Sequence, residues 1–214
     1  MHNNRVVIRA ICGLALLLPG IASAAIAYDE TASGDFAAAN LESSGVSPGT
    51  FAGIMTPGVS TITGSFGNSD AAGRDTDVFS FEIPVGQQLT AIDLTYTPVS
   101  GDAGGGSYFG IQGGLEIGTG FETVGSNLSN ALIRESEDIL SRFDLGPEFG
   151  GTGLTAPLGA GNYTMFMSET HAVVDYQMDF NVSAVPEPET YAMLLAGLGL
   201  LGAMARRKKT SPGK

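Results

Sequence analysis

The sequence has 214 residues, a formal net charge of −12, 31 glycines, one cysteine and no tryptophan. Residues 25–184 contain three arginines, no lysine and 20 acidic residues, so this part alone carries a formal net charge of −17. Such a charge argues against nucleic acid and anionic lipid as partners, because binding to phosphate groups requires lysine and arginine. It is compatible with a domain that is soluble outside the cell and attracts divalent cations.

The N-terminus has the pattern of a secretory signal peptide. Arg5 and Arg9 precede an apolar run over residues 10–18, and Ala-Ser-Ala at 22–24 fits a cleavage site between small residues, as do the next three residues. We therefore predict a signal peptide over residues 1–24, with a buried N-terminal helix as the alternative. The only cysteine lies in this segment, so the exported chain would contain no disulfide.

Residues 25–184 predict a single all-β domain. Apolar and polar residues alternate from 174 to 182, which is the period of a strand with one buried face. A hairpin turn at residues 170–172 is expected to join this strand to the one before it. In chain order, we predict strands at 59–66, 79–83, 92–96, 162–169 and 174–182, with weaker candidates at 107–112, 114–117, 131–134 and 139–143.

The stretch Ser129–Arg142 is open to two interpretations. Leu132, Ile139 and Leu140 are loosely spaced for one face of a helix, whereas the short apolar runs around them also fit strands. We favour strands at this point.

Short strands separated by glycine and proline turns indicate an antiparallel β-sandwich or jelly roll, in which two sheets bury their apolar faces against each other. Residues 64–66, 75–86, 158–164 and 174–176 resemble stretches of the bacterial pre-peptidase C-terminal (PPC) domain, a β-sandwich module. The same region is similar, in part, to the FxDxF group of proteins. We expect an all-β fold, flanked by an N-terminal signal helix and a C-terminal transmembrane helix.

The acidic stretch after the strand at 59–66 is the best candidate for a metal site. Asp70, Asp75 and Asp77 lie on a glycine-containing loop, and such oxygen ligands suit Ca²⁺. The EF-hand pattern fails, because Phe79 stands where the bidentate glutamate would be. An irregular Ca²⁺ site at the strand edge is one interpretation, and an Asx-rich turn that caps its own backbone is the other.

Residues for catalysis are scarce. His171 is the only histidine after the signal peptide, it lies in the predicted turn, and the chain has no Gly-x-Ser-x-Gly motif. We therefore expect no enzymatic activity and no cofactor other than Ca²⁺. The alternative function is an extracellular module that binds polysaccharide or Ca²⁺, in which Tyr96, Tyr108 and Phe109 would stack on sugars in place of tryptophan.

The end of the chain, residues 185–209, has three parts in order. Pro186-Glu187-Pro188 favours an extended backbone, and the apolar run at 191–205 predicts a short transmembrane helix. The basic cluster Arg206-Arg207-Lys208-Lys209 should stay cytoplasmic under the positive-inside rule. An ordinary C-terminal membrane anchor is the alternative.

This tail resembles the PEP-CTERM sorting signal of Gram-negative bacteria. The resemblance implies that exosortase, an integral-membrane cysteine transpeptidase-like enzyme, cleaves the chain near Pro186-Glu187-Pro188. It also implies export, a transient inner-membrane anchor with a cytoplasmic C-terminus, and a final place at the cell surface or outside the cell. Species with such tails usually make exopolysaccharide and biofilm, so exopolysaccharide is a further expected partner. Residues 28–30 and 34–35 are similar to the opening strand of PEP-tailed relatives.

Overall fold

The computed structural model describes residues 25–36, 50–69, 73–119, 124–185 and 188–209. The predicted signal peptide, residues 1–24, lies outside these residues. The strands are β1 (Ala25–Asp29), β2 (Phe51–Ile54), β3 (Gly58–Ser69), β4 (Gly73–Ile83), β5 (Gln87–Gly101), β6 (Ser107–Gly113), β7 (Ser129–Ile133), β8 (Glu137–Asp138), β9 (Gly161–Ser168) and β10 (Ala172–Ala184). The helices are α1 (Glu30–Ser33), α2 (Ile139–Asp144) and α3 (Pro188–Lys209).

The ten strands of the described residues form two facing sheets that are joined along one corner. One sheet has the strand order β1-β3-β10-β5-β8, and the other has the order β2-β4-β9-β6-β7. β3 and β4 pair with each other only over Gly67–Ser69 and Gly73–Asp75, so the two sheets together form one curled sheet. The predicted β-sandwich is therefore confirmed in outline.

The chain alternates between the two sheets as it runs from β3 to β6. Within each sheet, four strands pair antiparallel with their neighbours. Together with the alternation of the chain between the sheets, this order is the connectivity of an eight-stranded jelly roll. β1 and β2 depart from the antiparallel prediction, because β1 pairs parallel with β3 and β2 pairs parallel with β4. Each of the two lies at the edge of its sheet.

The core between the sheets is rich in phenylalanine. The ring of Phe81 on β4 packs edge-on against Phe180 on β10, with 4.9 Å between their centroids. Phe66 on β3 packs in the same way against Phe109 on β6 at 5.6 Å. Both pairs join one sheet to the other. The alternating burial along β10 confirms the strand predicted at 174–182.

The segment 139–143, which we expected to be a strand, is the helix α2. Asp138 caps its N-terminus by accepting a hydrogen bond from the backbone N–H of Leu140 at 3.0 Å. Ile139, Leu140 and Phe143 are all buried, and their spacing places them on one face of the helix. The cap and this face outweigh the strand propensity of the short apolar run.

The stretch Gly114–Ile117, a weaker strand candidate, forms bends and a single bridge residue instead. Ile117 folds over the outer face of the second sheet, where it packs with Val78 of β4 and Phe166 of β9. This small cluster buries apolar side chains that the strand alternation would otherwise expose.

The turn between β9 and β10 is not the hairpin that we predicted. β9 pairs with β4 and β6, whereas β10 pairs with β3 and β5, so this turn carries the chain from one sheet to the other. Glu169 stabilises the crossing from a buried position. Its carboxylate accepts hydrogen bonds from the backbone N–H groups of Thr170 (2.7 Å) and His171 (2.8 Å) and from the hydroxyl of Ser107 on β6 (2.7 Å).

Replacing Glu169 by alanine is expected to lower the free energy of unfolding by about 1.5–3 kcal/mol, because three donors lose a charged acceptor at once. Chemical denaturation of the purified chain measures this loss. Glu135→Ala, which removes an exposed carboxylate, is the control and should change the same quantity by less than about 0.5 kcal/mol. Equal losses in the two variants would contradict the network assigned to Glu169.

Candidate functional sites

Strand β4 carries two of the three predicted metal-ligating residues to one end of the core. The inward row of β4 is apolar as far as Phe79, and the same alternation continues to Asp77 and Asp75. Asp77 is completely buried, and Asp75 is half-buried. The third predicted residue, Asp70, lies outside the described residues.

A further carboxylate reaches the same place from residues 25–36, which we call the opening segment. Glu30, the first residue of α1, accepts a hydrogen bond from the backbone N–H of Ser65 on β3 at 2.7 Å. It accepts another from the hydroxyl of Tyr176 on β10 at 3.3 Å. Glycine at position 64 permits this approach, because a Cβ on Gly64 would overlap the Glu30 carboxylate.

Two sets of contacts hold the opening segment against the sandwich. Asp29 caps α1, since its carboxylate accepts hydrogen bonds from the backbone N–H (2.9 Å) and the hydroxyl (2.7 Å) of Thr31. After the helix, the completely buried ring of Phe36 stacks between Tyr28 (4.4 Å) and Phe79 (4.6 Å). The segment is therefore anchored before and after α1.

Glu30, Asp35 and Asp77 meet in what we call the acidic cluster, in which one oxygen of each residue lies within 4.8 Å of one oxygen of the other two. Asp35 is exposed, Glu30 is half-buried and Asp77 is buried. Neither carboxylate oxygen of Asp77 has a hydrogen-bond partner in the described part of the chain. The neighbouring hydroxyl of Tyr176 donates to Glu30 instead.

Burial and the repulsion of neighbouring charges raise the pKa values of Glu30, Asp75 and Asp77. The pKa of Asp77 lies well above its ordinary value because of burial first, and then because of the charges of Glu30 and Asp75. Burial raises the pKa of Glu30 by more than the hydrogen bond from Ser65 lowers it. Beside the cluster, burial and the charge of Asp35 raise the pKa of Asp75 to about 6. The arrangement therefore favours either protonation or a compensating cation.

An open pocket of about 520 Å³ adjoins the acidic cluster. Five acidic residues line it, namely Asp29, Glu30, Asp35, Asp75 and Asp175, and none of the described residues in its lining is basic. Its negative charge and its access to solvent suit a hydrated cation rather than an anion.

In the absence of divalent cations, Asp77→Asn is expected to raise the free energy of unfolding at neutral pH by about 1–3 kcal/mol, since it keeps nearly the same shape but removes the cost of burying Asp77 either as an unpaired charge or with a bound proton. Folding raises the pKa of Asp77. Below the pKa of the unfolded state, an acid of this kind is protonated in both states and does not lower stability. As the pH rises from there towards the pKa of the folded state, the free energy of unfolding falls. The gain should therefore shrink towards pH values of about 4. Denaturation in EDTA across this range measures it, and an equal gain at all pH values would contradict the account.

The sequence pointed to Asp75 and Asp77 but not to Glu30 and Asp35 as partners. Strand alternation signals the burial of Asp77, because it continues the inward row of Phe79. The partners come from the opening segment, and the parallel pairing of β1 with β3 is what brings them close to β4. Local sequence carries no sign of that pairing.

His171 is exposed at the turn between the sheets, and its Nδ1 lies 2.7 Å from the hydroxyl of Thr170. The adjacent carboxylate, Glu169, is engaged by backbone N–H groups and by Ser107 rather than by the imidazole. Within the described residues, no hydrogen bond links the imidazole to a carboxylate in the way that orients the histidine of a catalytic triad.

The three aromatic residues expected to stack on sugars do not form an exposed platform. Phe109 is completely buried and Tyr96 is only 6% exposed. Tyr108 packs against Phe166 and Phe149 under the outer cluster, with centroid distances of 5.5 and 6.0 Å. The sugar-stacking role predicted for these residues is therefore wrong, because all three serve the packing of β5 and β6.

The tail forms the helix α3, which includes the apolar run at 191–205 and the basic cluster at 206–209. Its described leucine and methionine side chains are exposed, as in Leu195 at 69% and Leu200 at 66%. Among the helices of the described residues, none is long and apolar enough to cross a membrane. The transmembrane helix expected at 191–205 stays a prediction.

The proposed recognition motif lies between the sandwich and α3. β10 ends at Ala184, and the backbone N–H of Val185 still donates a hydrogen bond to the carbonyl of Gly86 at 2.8 Å. Pro186 and Glu187 lie outside the described residues, and Pro188 is the first residue of α3. The motif thus follows the last contact of the sandwich directly.

Comparison with known proteins identifies the tail. Residues 184–209 match the family PEP_exosort_dom, the PEP-CTERM protein-sorting motif. The match agrees with the signal predicted at 185–209 and does not extend into the body of the chain. No curated protein and no solved structure matches the sequence. The chain therefore carries a PEP-CTERM sorting motif, whereas the resemblance of its body to the PPC domain is not confirmed.

Proposed function

We propose that this chain is an exported, non-enzymatic β-sandwich protein that exosortase sorts through its tail to the cell surface or the extracellular matrix. The observation that carries the proposal is the match of residues 184–209 to the PEP-CTERM sorting motif. That motif implies exosortase as the processing partner, export of the chain, and transient membrane anchoring at the C-terminus.

The arrangement of the C-terminal part supports this assignment. The sandwich ends at Val185, the Pro-Glu-Pro motif follows, and the leucine and methionine side chains of α3 from Met193 to Met204 are exposed. Exposed apolar surface of this kind needs a partner that removes it from water. In our proposal the inner membrane covers α3 before processing, with the basic cluster on the cytoplasmic side.

The composition of the body supports a role outside the cell. Residues 25–184 carry a formal net charge of −17, which favours solubility outside the cell. We propose delivery of this domain to a matrix that contains exopolysaccharide. Direct stacking on sugar through Tyr96, Tyr108 and Phe109 is not part of the proposal, because these side chains pack within the domain.

The experiment that tests the proposal compares the native host with a strain that lacks its exosortase gene. An antibody against the sandwich follows the chain in cytoplasmic, inner-membrane, surface and medium fractions. We expect the chain at the surface or in the medium of the parent strain and in the inner-membrane fraction of the deletion strain. Complementation with the exosortase gene should restore the first distribution.

Two results would overturn the proposal. The same distribution in both strains would mean that exosortase does not sort the chain. Recovery of the chain from the cytoplasm of both strains would mean that it is not exported at all.

A further inference from the structure

We propose that the acidic cluster of Glu30, Asp35 and Asp77 is a binding site for one divalent cation of the Ca²⁺ type, which ties the opening segment to strand β4. This site belongs to the body of the protein, and it stands or falls independently of the sorting function of the tail.

The state of Asp77 is the main reason for this inference. Its side chain is 0% exposed, and both of its carboxylate oxygens are without a hydrogen-bond partner in the part of the chain that the structure describes. A carboxylate taken out of water stabilises a fold only when a positive charge or several donors compensate it. Glu30 and Asp35 beside it are themselves acids, and the neighbouring hydroxyl of Tyr176 donates to Glu30, so a positive charge that compensates Asp77 must come from outside the cluster.

The distances within the cluster fit Ca²⁺. Ligand oxygens lie 2.3–2.6 Å from a bound Ca²⁺, so two of them on opposite sides of the ion are about 5 Å apart. The oxygens of the cluster lie within 4.8 Å of one another, which leaves room for the ion between them. Mg²⁺ binds at about 2.0–2.1 Å and requires near-octahedral geometry, which three carboxylates from separate elements satisfy poorly.

The adjoining pocket completes the site. Ca²⁺ takes about six to eight oxygen ligands, and three carboxylates supply only part of them. Glu30 and Asp35 of the cluster line the open pocket, so water and an ion can reach the cluster from that side. Asp75, which lies in the pocket lining, adds to the attraction for a cation without belonging to the cluster.

A cation in this place would connect two distant parts of the chain. Glu30 and Asp35 belong to the opening segment, whereas Asp77 lies on β4 in the core of the sandwich. Binding would therefore hold α1 against the sheet, in addition to the stacking of Phe36. Loss of the ion should release the opening segment first, since the remaining acids repel one another.

A proton shared between the carboxylates is the competing way to compensate the charge. Protonation and metal binding make opposite demands on Asp77, because an asparagine replaces a protonated aspartate well but removes the anionic oxygen that binds a metal. The same substitution therefore separates the two explanations.

The test is a calorimetric titration of the full chain with CaCl₂ at neutral pH. The chain is first treated with EDTA and desalted, and it is kept in a mild detergent because the apolar side chains of α3 are exposed. We expect saturable binding of one Ca²⁺ per chain with a Kd of about 0.1–1 mM, the range of extracellular Ca²⁺ modules. Mg²⁺ should bind at least about tenfold more weakly, given its geometric demands. Hydrogen exchange over residues 25–36 should slow when Ca²⁺ is present.

The variants Asp77→Asn and Glu30→Gln are expected to weaken Ca²⁺ binding at least about tenfold, since each removes one anionic ligand. Glu116→Gln, which removes the same charge from an exposed position elsewhere, is the matched control and should bind like the parent chain. Asp77→Asn also guards against a folding artefact, because we expect it to melt higher than the parent in EDTA and to lose the rise in melting temperature that Ca²⁺ causes.

Three results would overturn the proposal that the acidic cluster binds Ca²⁺. One is the absence of saturable binding and of any change in melting temperature with Ca²⁺ in the parent chain. Another is binding by Asp77→Asn with the affinity of the parent. The third is an equal loss of binding in Glu116→Gln, which would show that Ca²⁺ responds to the overall charge of the chain rather than to the cluster.

Discussion

Replacement of Pro186, Glu187 and Pro188 by alanine is expected to abolish exosortase-dependent processing and to leave the chain in the inner-membrane fraction. In our proposal exosortase recognises the two prolines and the carboxylate, and alanine, which lacks the restraint that proline puts on the backbone, would let α3 extend towards the sandwich. Surface display, measured by protease accessibility of the sandwich in intact cells, should fall to the level of a strain that lacks exosortase.

Two controls show whether the motif itself is responsible. Pro212→Ala removes a proline from the same tail but outside the matched residues 184–209, and it should be processed like the parent chain. The melting temperature of the triple variant should equal that of the parent, because the motif follows the last strand of the sandwich. Normal display of the triple variant would contradict the assignment of the motif.

The largest effect on stability is expected from Phe36→Ala, which should lower the free energy of unfolding by about 3–5 kcal/mol. The ring is completely buried between Tyr28 and Phe79, and it attaches the opening segment to β4. Its removal should leave a cavity and free the segment, so hydrogen exchange across residues 25–36 should accelerate more than exchange in β10. Denaturant unfolding measures the first effect, and exchange measures the second.

Ile26→Ala is the matched control, because Ile26 belongs to the same segment but is 74% exposed. This substitution should change the free energy of unfolding by less than about 0.5 kcal/mol. A loss for Phe36→Ala as small as that of the control would mean that the opening segment does not pack on the sandwich as described.

The strands could be predicted from the sequence because their signal is local. The alternation at 174–182 and the inward row that ends in Phe79, Phe81 and Ile83 reflect burial on one face, whichever strand pairs alongside. The pairing itself depends on contacts between distant residues. The turn at His171 looked like a hairpin for that reason, although the buried carboxylate of Glu169 directs the chain into the other sheet.

The helix α2 shows the limit of periodicity in a short segment. Ile139, Leu140 and Phe143 fit a strand or a helix about equally well over so few residues. The cap by Asp138 and the packing of all three side chains on one face stabilise the helix over the strand. The capping aspartate was visible in the sequence, but the buried face was not.

The two candidate sites differ in how far the sequence reveals them. The sorting motif is linear, so the order of its parts from Pro186 to Lys209 was sufficient to recognise it. The acidic cluster is assembled by the fold, and only its residue Asp77 lies in the acidic stretch that drew attention to Ca²⁺. Glu30 and Asp35 join it because β1 pairs with β3.

The most direct test of the central claim is the intact mass of the chain, purified from the surface or medium of its native host and from a strain without exosortase. Our account predicts a mass that begins after the signal peptide and ends near Pro186–Glu189 in the parent strain, and a longer mass with Arg206–Lys209 in the deletion strain. A mass that retains Arg206–Lys209 in both strains would contradict sorting by exosortase and would make the tail an ordinary membrane anchor.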